Sequence, residues 1–256
     1  MDAAKKPRER DSRRRALRVI TRSLKQLAGP SPSSADLSHF HIRQLSMSLE
    51  EEQKSLFFKP YKAPIRAPET DTIADYYPEL DESPFRNAKA LCWYLCQYFQ
   101  NCILPKDDIC PPGSSYGDFG NFNFGQLMDI SKAPRWQVHA AWNMPQAKVP
   151  HMKVLMYSGI IGNENELFQG ELLAIIDVMC GRLNTRSLRS HIITPVLLFS
   201  VVGMHHVRIL EAHFDGKELV VRSTKLYNLE QRNHELLIQL SRWWLGHASN
   251  RSTQEN

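Results

Sequence analysis

The chain has 256 residues, 42% of them hydrophobic and five of them Trp, which suits one packed core and excludes wholesale disorder. Its formal charge of +5 is unevenly placed: residues 1–25 hold ten Lys or Arg against three acids, and the remaining 231 residues hold 22 bases against 24 acids. The positive charge is a property of the head, so a broad electropositive face on the body, the footprint of a duplex-binding domain, is not required.

In chain order, RRRALRVITRSLKQLAG (13–29) predicts a first helix, with Ala16, Leu17, Ile20, Leu24 and Leu27 at helical spacing and Gly29-Pro30 as its stop. Residues 1–38 read as a largely disordered basic head with that short amphipathic helix and a linker, GPSPSSADLS. Residues 39–82 show no sustained period and read as an irregular extended segment, with KPYKAPIRAPETD (59–71) running over the surface. The folded body spans 83–246 as a single α+β domain, and 247–256 reads as a disordered tail.

Within the body, SPFRNAKALCWYLCQYFQNCIL (83–104) carries a Ser cap, a Pro at the first helical position and a helical apolar stripe. PPGSSYGDFGNFNFGQ (111–126) is a Gly/Asn/Phe loop, followed by strand-like pieces at 135–142 and 153–161. ENELFQGELLAIIDVMCGRLN (164–184) is a helix, then HIITPVLLFSVVG, HVRILEAHFDG and ELVVRSTKLYNL form three consecutive strands, with Asp215-Gly216 as a tight turn. EQRNHELLIQLSRWWLG (230–246) closes as an amphipathic helix. The fold class is α+β: helices flanking a mainly antiparallel sheet, with a C-terminal helix, three-strand and helix unit.

The head is the most informative segment for function. KKPR (5–8) fits the Lys-Lys-x-Arg pattern that acidic grooves of nuclear import receptors accept, and RRRALR (13–18) adds a second basic cluster after a short spacer. Lys5, Lys6, Arg8, Arg10, Arg13, Arg14, Arg15 and Arg18 form the predicted nuclear localisation signal. Contact with nucleic-acid phosphates, adsorption to an anionic membrane, an organellar presequence and an inert tail are the competing assignments. Asp2, Glu9 and Asp11 argue against a presequence.

The five Cys (92, 96, 102, 110 and 180) contain no Cys-x-x-Cys pair; an odd count without a signal peptide predicts reduced thiols in an intracellular compartment. The longest apolar run, IITPVLLFSVVGM (192–204), is too short to span a bilayer, so no transmembrane segment is predicted. GDFG (117–120) carries the magnesium-holding triplet of protein kinases without that family's nucleotide loop, strand lysine or catalytic loop. His205-His206 would point to opposite faces of a strand, and no cofactor or metal is assigned.

Two resemblances bear on the C-terminal half. PVLLFSVVGMHHVRILEAHFDGKELVVRSTKLYNL (195–229) resembles a block found in a group of uncharacterised filamentous-fungal proteins, which implies a source and a fold unit. The α-β-β-β-α order resembles metal-dependent nucleases of the PD-(D/E)XK type, whose helix acid, hairpin Asp and acid-x-Lys strand hold magnesium and position water. On that resemblance the helix acid would come from Glu166, Glu171 or Asp177, while Pro195 is followed by Val196, and Glu211-Ala212-His213 stands in the acid-x-Lys place. Glu171, Glu211 and His213 are thus the catalytic candidates, and their convergence on one cleft is what a nuclease needs. The expectation for the whole chain is a non-enzymatic nuclear regulatory protein that modulates gene expression through a protein partner. An import receptor would carry it, with weak nucleic-acid contact through the head. The alternatives are a degenerate nuclease-like protein and a cytosolic interaction module with a membrane-surface basic helix.

Overall fold

In the computed structural model the described residues are 5–50, 55–69, 76–105, 135–143 and 149–255. The helices are α1 (Lys5–Lys25), α2 (Ser34–His39), α3 (Pro84–Asn101), α4 (Gln169–Asn184) and α5 (His234–Leu245). The strands are β1 (Ile42–Ser46), β2 (Phe58–Lys59), β3 (Trp136–Asn143), β4 (Met152–Ser158), β5 (Val196–Val202), β6 (His206–Phe214), β7 (Leu219–Ser223), β8 (Tyr227–Asn228) and β9 (His247–Ala248). A seven-stranded sheet runs β1-β7-β6-β5-β4-β3, with β8 paired to β6; β2 and β9 form a separate ribbon. The pairs β3/β4, β5/β6, β6/β7 and β6/β8 are antiparallel, whereas β4/β5 and β1/β7 are parallel. The α+β class follows directly.

Side-chain alternation divides the core into two layers. On one face Val196, Leu198, Leu210, Ala212, Leu219 and Val221 pack with Leu172, Ile176 and Met179 of α4 and with Leu17, Ile20 and Leu24 of α1. On the other, Leu197, Phe199, Val207 and Ile209 pack with Leu91, Leu95 and Phe99 of α3 and with Leu237, Leu240, Trp243 and Trp244 of α5. Because both faces are covered, β4 and β5 are buried along their whole length, which explains their continuous apolar sequence.

Helix starts follow local chemistry. Ser83 caps α3 by accepting from the Arg86 amide at 3.4 Å, with Pro84 at the first helical position. Asn233 caps α5 by accepting from the Leu236 amide at 3.1 Å. Helix α4 begins at Gln169, five residues later than its sequence pattern suggests. The Glu171 carboxylate reaches back to accept from the Phe168 amide at 2.9 Å, which fixes the start there. Gly162 permits this entry, since a Cβ at that position would stand 1.9 Å from the Phe168 ring.

Three segments differ from the sequence expectation. The basic head is ordered from Lys5 as part of α1, not as a disordered arm with a helix beginning at Arg13. Ile42–Ser46, inside the segment expected to be irregular, joins the sheet parallel to β7; only Ile42 of its five residues is buried, so no alternation was there to see. The C-terminal residues are tied down as well. Ala248 pairs with Phe58, and the Thr253 carbonyl accepts from the Ile192 and Ile193 amides at 2.9 and 3.0 Å. No helix among the described residues is long and apolar enough to cross a membrane.

Candidate functional site

Helix α1 presents two stripes. At 3.6 residues per turn, Arg10, Arg13, Leu17, Ile20 and Leu24 fall on one side, and all five are buried. Arg8, Arg15, Arg18, Arg22 and Lys25 fall within about 100° of arc on the opposite side, and all five are exposed. The apolar stripe thus continues toward the N-terminus as two arginines.

Those two arginines anchor the helix. The Arg10 guanidinium donates to the carbonyls of Arg182, Leu183, Thr185, Leu188 and His191, with Arg182 at 3.1 Å and Thr185 at 3.2 Å. These carbonyls gather at the C-terminus of α4 and around the 3-10 turn Arg186–Leu188 that follows, where the helix dipole favours a cation; those of Arg182, Thr185 and Leu188 also accept a backbone amide. Burial, with Arg14 nearby, lowers the Arg10 pKa from its ordinary value. Arg13 is 1% exposed. It donates to the carbonyls of Phe214 at 2.8 Å and Asp215 at 3.2 Å and pairs with Glu9 at 2.7 Å. Two residues expected in a flexible localisation signal are therefore structural. The sequence carried the trace of this: Arg13 and Arg10 precede Leu17 by four and seven residues, which continues its stripe.

The solvent stripe is held rigid by those anchors, with Lys6 resting its ammonium on the Ser190 carbonyl at 3.1 Å. Arg14 lies between the stripes and pairs with Asp11 at 3.2 Å. The Lys5 side chain lies outside the described residues.

The catalytic candidates occupy different places. Glu171 on α4 faces β6 and forms a bidentate pair with Arg208, at 2.9 Å to Nε and 2.6 Å to Nη2, both residues fully buried. The Arg208 guanidinium also stacks on the Phe168 ring at 4.5 Å. Glu211 and His213 are odd-numbered residues of β6 and point to the other face, toward α3 and α5. There the Glu211 carboxylate accepts from the amides of Leu56 at 2.8 Å, Phe57 at 3.2 Å and Phe58 at 3.3 Å, and from the Ser55 hydroxyl. His213 packs on Phe57 with ring centroids 4.9 Å apart. The sheet separates Glu171 from Glu211, so the three do not share a cleft. Toward α4, Arg208 stands opposite the buried Ser200 of β5, and the next positions along the two strands, Leu198, Leu210, Val196 and Ala212, are apolar. Among the described residues, no three His, Cys, Asp or Glu side chains gather as metal ligands. Cys92 and Cys96 are buried in α3, and burial pushes the Cys96 thiol up to about 11. Cys110 and the GDFG loop lie outside the described residues.

His205 and His206 also part: His205 sits in the β5–β6 turn with φ of 53°, fully buried, while His206 begins β6.

A second polar cluster, under the 55–58 strap, has no signature in the sequence. His151 lies 6.2 Å from Phe57 and 5.3 Å from Phe58 by ring centroids. Lys153 is buried and donates to the Trp244 and Gly246 carbonyls at the end of α5, the latter at 2.7 Å. Burial lowers the Lys153 pKa to about 7, His151 to about 3 and His213 to about 4. The linkage sign follows: the folded histidines bind fewer protons than the unfolded ones, so stability falls as pH drops below the unfolded value near 6.5. Between pH 7 and pH 5 each histidine is expected to cost about 2 kcal/mol. Asp177, raised by burial to about 6, works in the opposite direction, so the comparison is with a variant. Urea denaturation at both pH values should show a smaller acid loss in His151→Leu/His213→Leu than in the parent; an equal loss refutes the assignment.

No family model, curated protein or solved structure matches the chain.

Proposed function

We propose that this chain is a regulatory protein of the nucleus that acts by binding, with the solvent stripe of α1 as its contact surface. The observation that carries this is the division of labour on α1. Arg10 and Arg13 fasten the helix, which leaves Arg8, Arg15, Arg18, Arg22 and Lys25 in a fixed row facing solvent. The catalytic candidates have structural partners instead: Glu171 pairs with Arg208, and Glu211 holds a strap. An import receptor with an acidic groove is the partner that the row suits for transport, and a nuclear protein or nucleic acid is the partner for regulation. The receptor would meet the row as a helix, because an extended reading requires Arg10 to leave five carbonyls.

The test is the location of the full chain fused to a tandem fluorescent tag too large to diffuse through nuclear pores. The parent is expected in the nucleus and Arg8→Gln/Arg15→Gln/Arg18→Gln in the cytosol. These three side chains are exposed, so the variant should keep its fold, which its circular dichroism melt checks. Nuclear accumulation that survives the triple change, or a parent that stays cytosolic, overturns the assignment.

A further inference from the structure

The basic surface does not end at α1. The turn after α4 carries Arg186 and Arg189, both exposed, and with Arg10, Arg14 and Asn184 they line a cleft of about 330 Å³. A second cleft of about 200 Å³ is lined by Arg14, Arg18, Asn184, Thr21 and Asp177. Arg14 and Asn184 belong to both, so the two clefts form one groove between α1 and the C-terminal end of α4. Arg14 Nε is buried there without a hydrogen-bond partner. Two acids are present: Asp11 is paired with Arg14 at 3.2 Å, and Asp177 has Lys25 as its neighbouring charge. The exposed row of α1 runs beside the groove for about 25 Å, the length of roughly seven phosphate steps on a duplex strand.

We infer that this groove is a nucleic-acid site that takes the phosphodiester backbone and does not read bases. This deepens the proposed nuclear function and rests on it. Guanidinium forks match phosphate oxygens in charge and geometry. The lining has no aromatic ring on which a base could stack, so contacts stay with the backbone. A membrane surface fits less well. An adsorbing helix needs a free apolar face, and that of α1, Leu17, Ile20 and Leu24, is buried against α4. Arginines on a folded groove also need no refolding to meet a phosphate row, in contrast with an extended import signal.

The probes are a fluorescein-labelled 20-base-pair duplex and the matching single strand, titrated with the full chain by anisotropy from 50 to 200 mM salt. Both should bind, with little dependence on sequence, and log affinity for the duplex should fall linearly with log salt. Arg186→Gln/Arg189→Gln should lower duplex affinity at least about tenfold at 0.1 M salt and reduce the salt slope by about two. Arg66→Gln, beside the end of α3, should match the parent in both. The double variant lies outside the localisation row, so its nuclear accumulation should be unchanged, which separates this inference from the location test. Failure of the parent to bind either probe at 50 mM salt overturns the site. So does binding that ignores Arg186→Gln/Arg189→Gln in a folded variant, and so does preferential binding to phosphatidylserine vesicles over the duplex.

Discussion

Glu171→Ala is expected to destabilise the fold by about 3–5 kcal/mol, the cost of leaving one member of a buried ion pair alone. Arg208 is fully buried, its Nη1 already lacks a partner, and both of its remaining bonded nitrogens donate to Glu171. Removing the carboxylate leaves a cation whose remaining neighbour of note is the Phe168 ring at 4.5 Å. The same change deprives the Phe168 amide of its acceptor and so loosens the start of α4, worth about another 1 kcal/mol. The compensating variant is Glu171→Met/Arg208→Met. With both charges gone, the site becomes an apolar contact between α4 and β6 and should recover most of the loss. Urea midpoints of the parent, the single and the double variant decide the matter. A ligand-holding carboxylate behaves differently, because active-site acids are held at a cost to stability and their removal commonly stabilises. A Glu171→Ala chain at least as stable as the parent refutes the structural role, and a double variant no better than the single refutes the pairing.

What the sequence displayed and what it concealed separate along physical lines. Elements with a buried stripe or a marked turn were legible: α3 with Ser83-Pro84, α5 by its amphipathic stripe though expected from 230 and not from His234, and the β5–β6–β7 meander with Asp215-Gly216 at its second turn. The meander's paired alternation is a local property, so it survives being read from one chain. Contacts between distant segments were concealed. The head looked like a charged tail because ten basic residues signal solvation, yet Arg10 and Arg13 are satisfied by carbonyls more than 170 positions away. Such acceptors exist only once α4 has ended and the Asp215 hairpin has folded. β1 was hidden for a related reason: as an outer strand it buries one residue in five, so its sequence has no period to offer. The candidate site fared by the same rule. Glu211 and His213 of β6 were singled out by their place in the nuclease-like element order, a matter of sequence position alone. Which face a strand residue occupies depends on register, and register turned Glu211 away from the face that carries α4 and Glu171.

Glu211→Gln tests the other half of that separation. The carboxylate at this position gathers three consecutive amides and the Ser55 hydroxyl, an arrangement that needs an acceptor at both oxygens. Glutamine keeps the shape but turns one acceptor into a donor, which then faces an N–H of the strap. The loss is expected to be about 2–4 kcal/mol, since hydrogen bonds to a charged group are worth about 1.5–3 kcal/mol each and do not add fully. Its character should be local. The strap has further attachments beyond residue 58: β2 pairs with β9, and Arg242 donates to the Tyr61 carbonyl at 2.9 Å. The amides of Leu56, Phe57 and Phe58 should therefore lose protection in hydrogen exchange by about 30-fold or more, while those of β5 and β6 retain theirs relative to the global stability. His213 and His151 lie beneath the Phe57 ring, so opening the strap should also return their titration toward the ordinary histidine range, which ring-proton chemical shifts would register. Unchanged protection at 56–58 refutes the anchor. A uniform loss across the sheet would instead make Glu211 part of the global core.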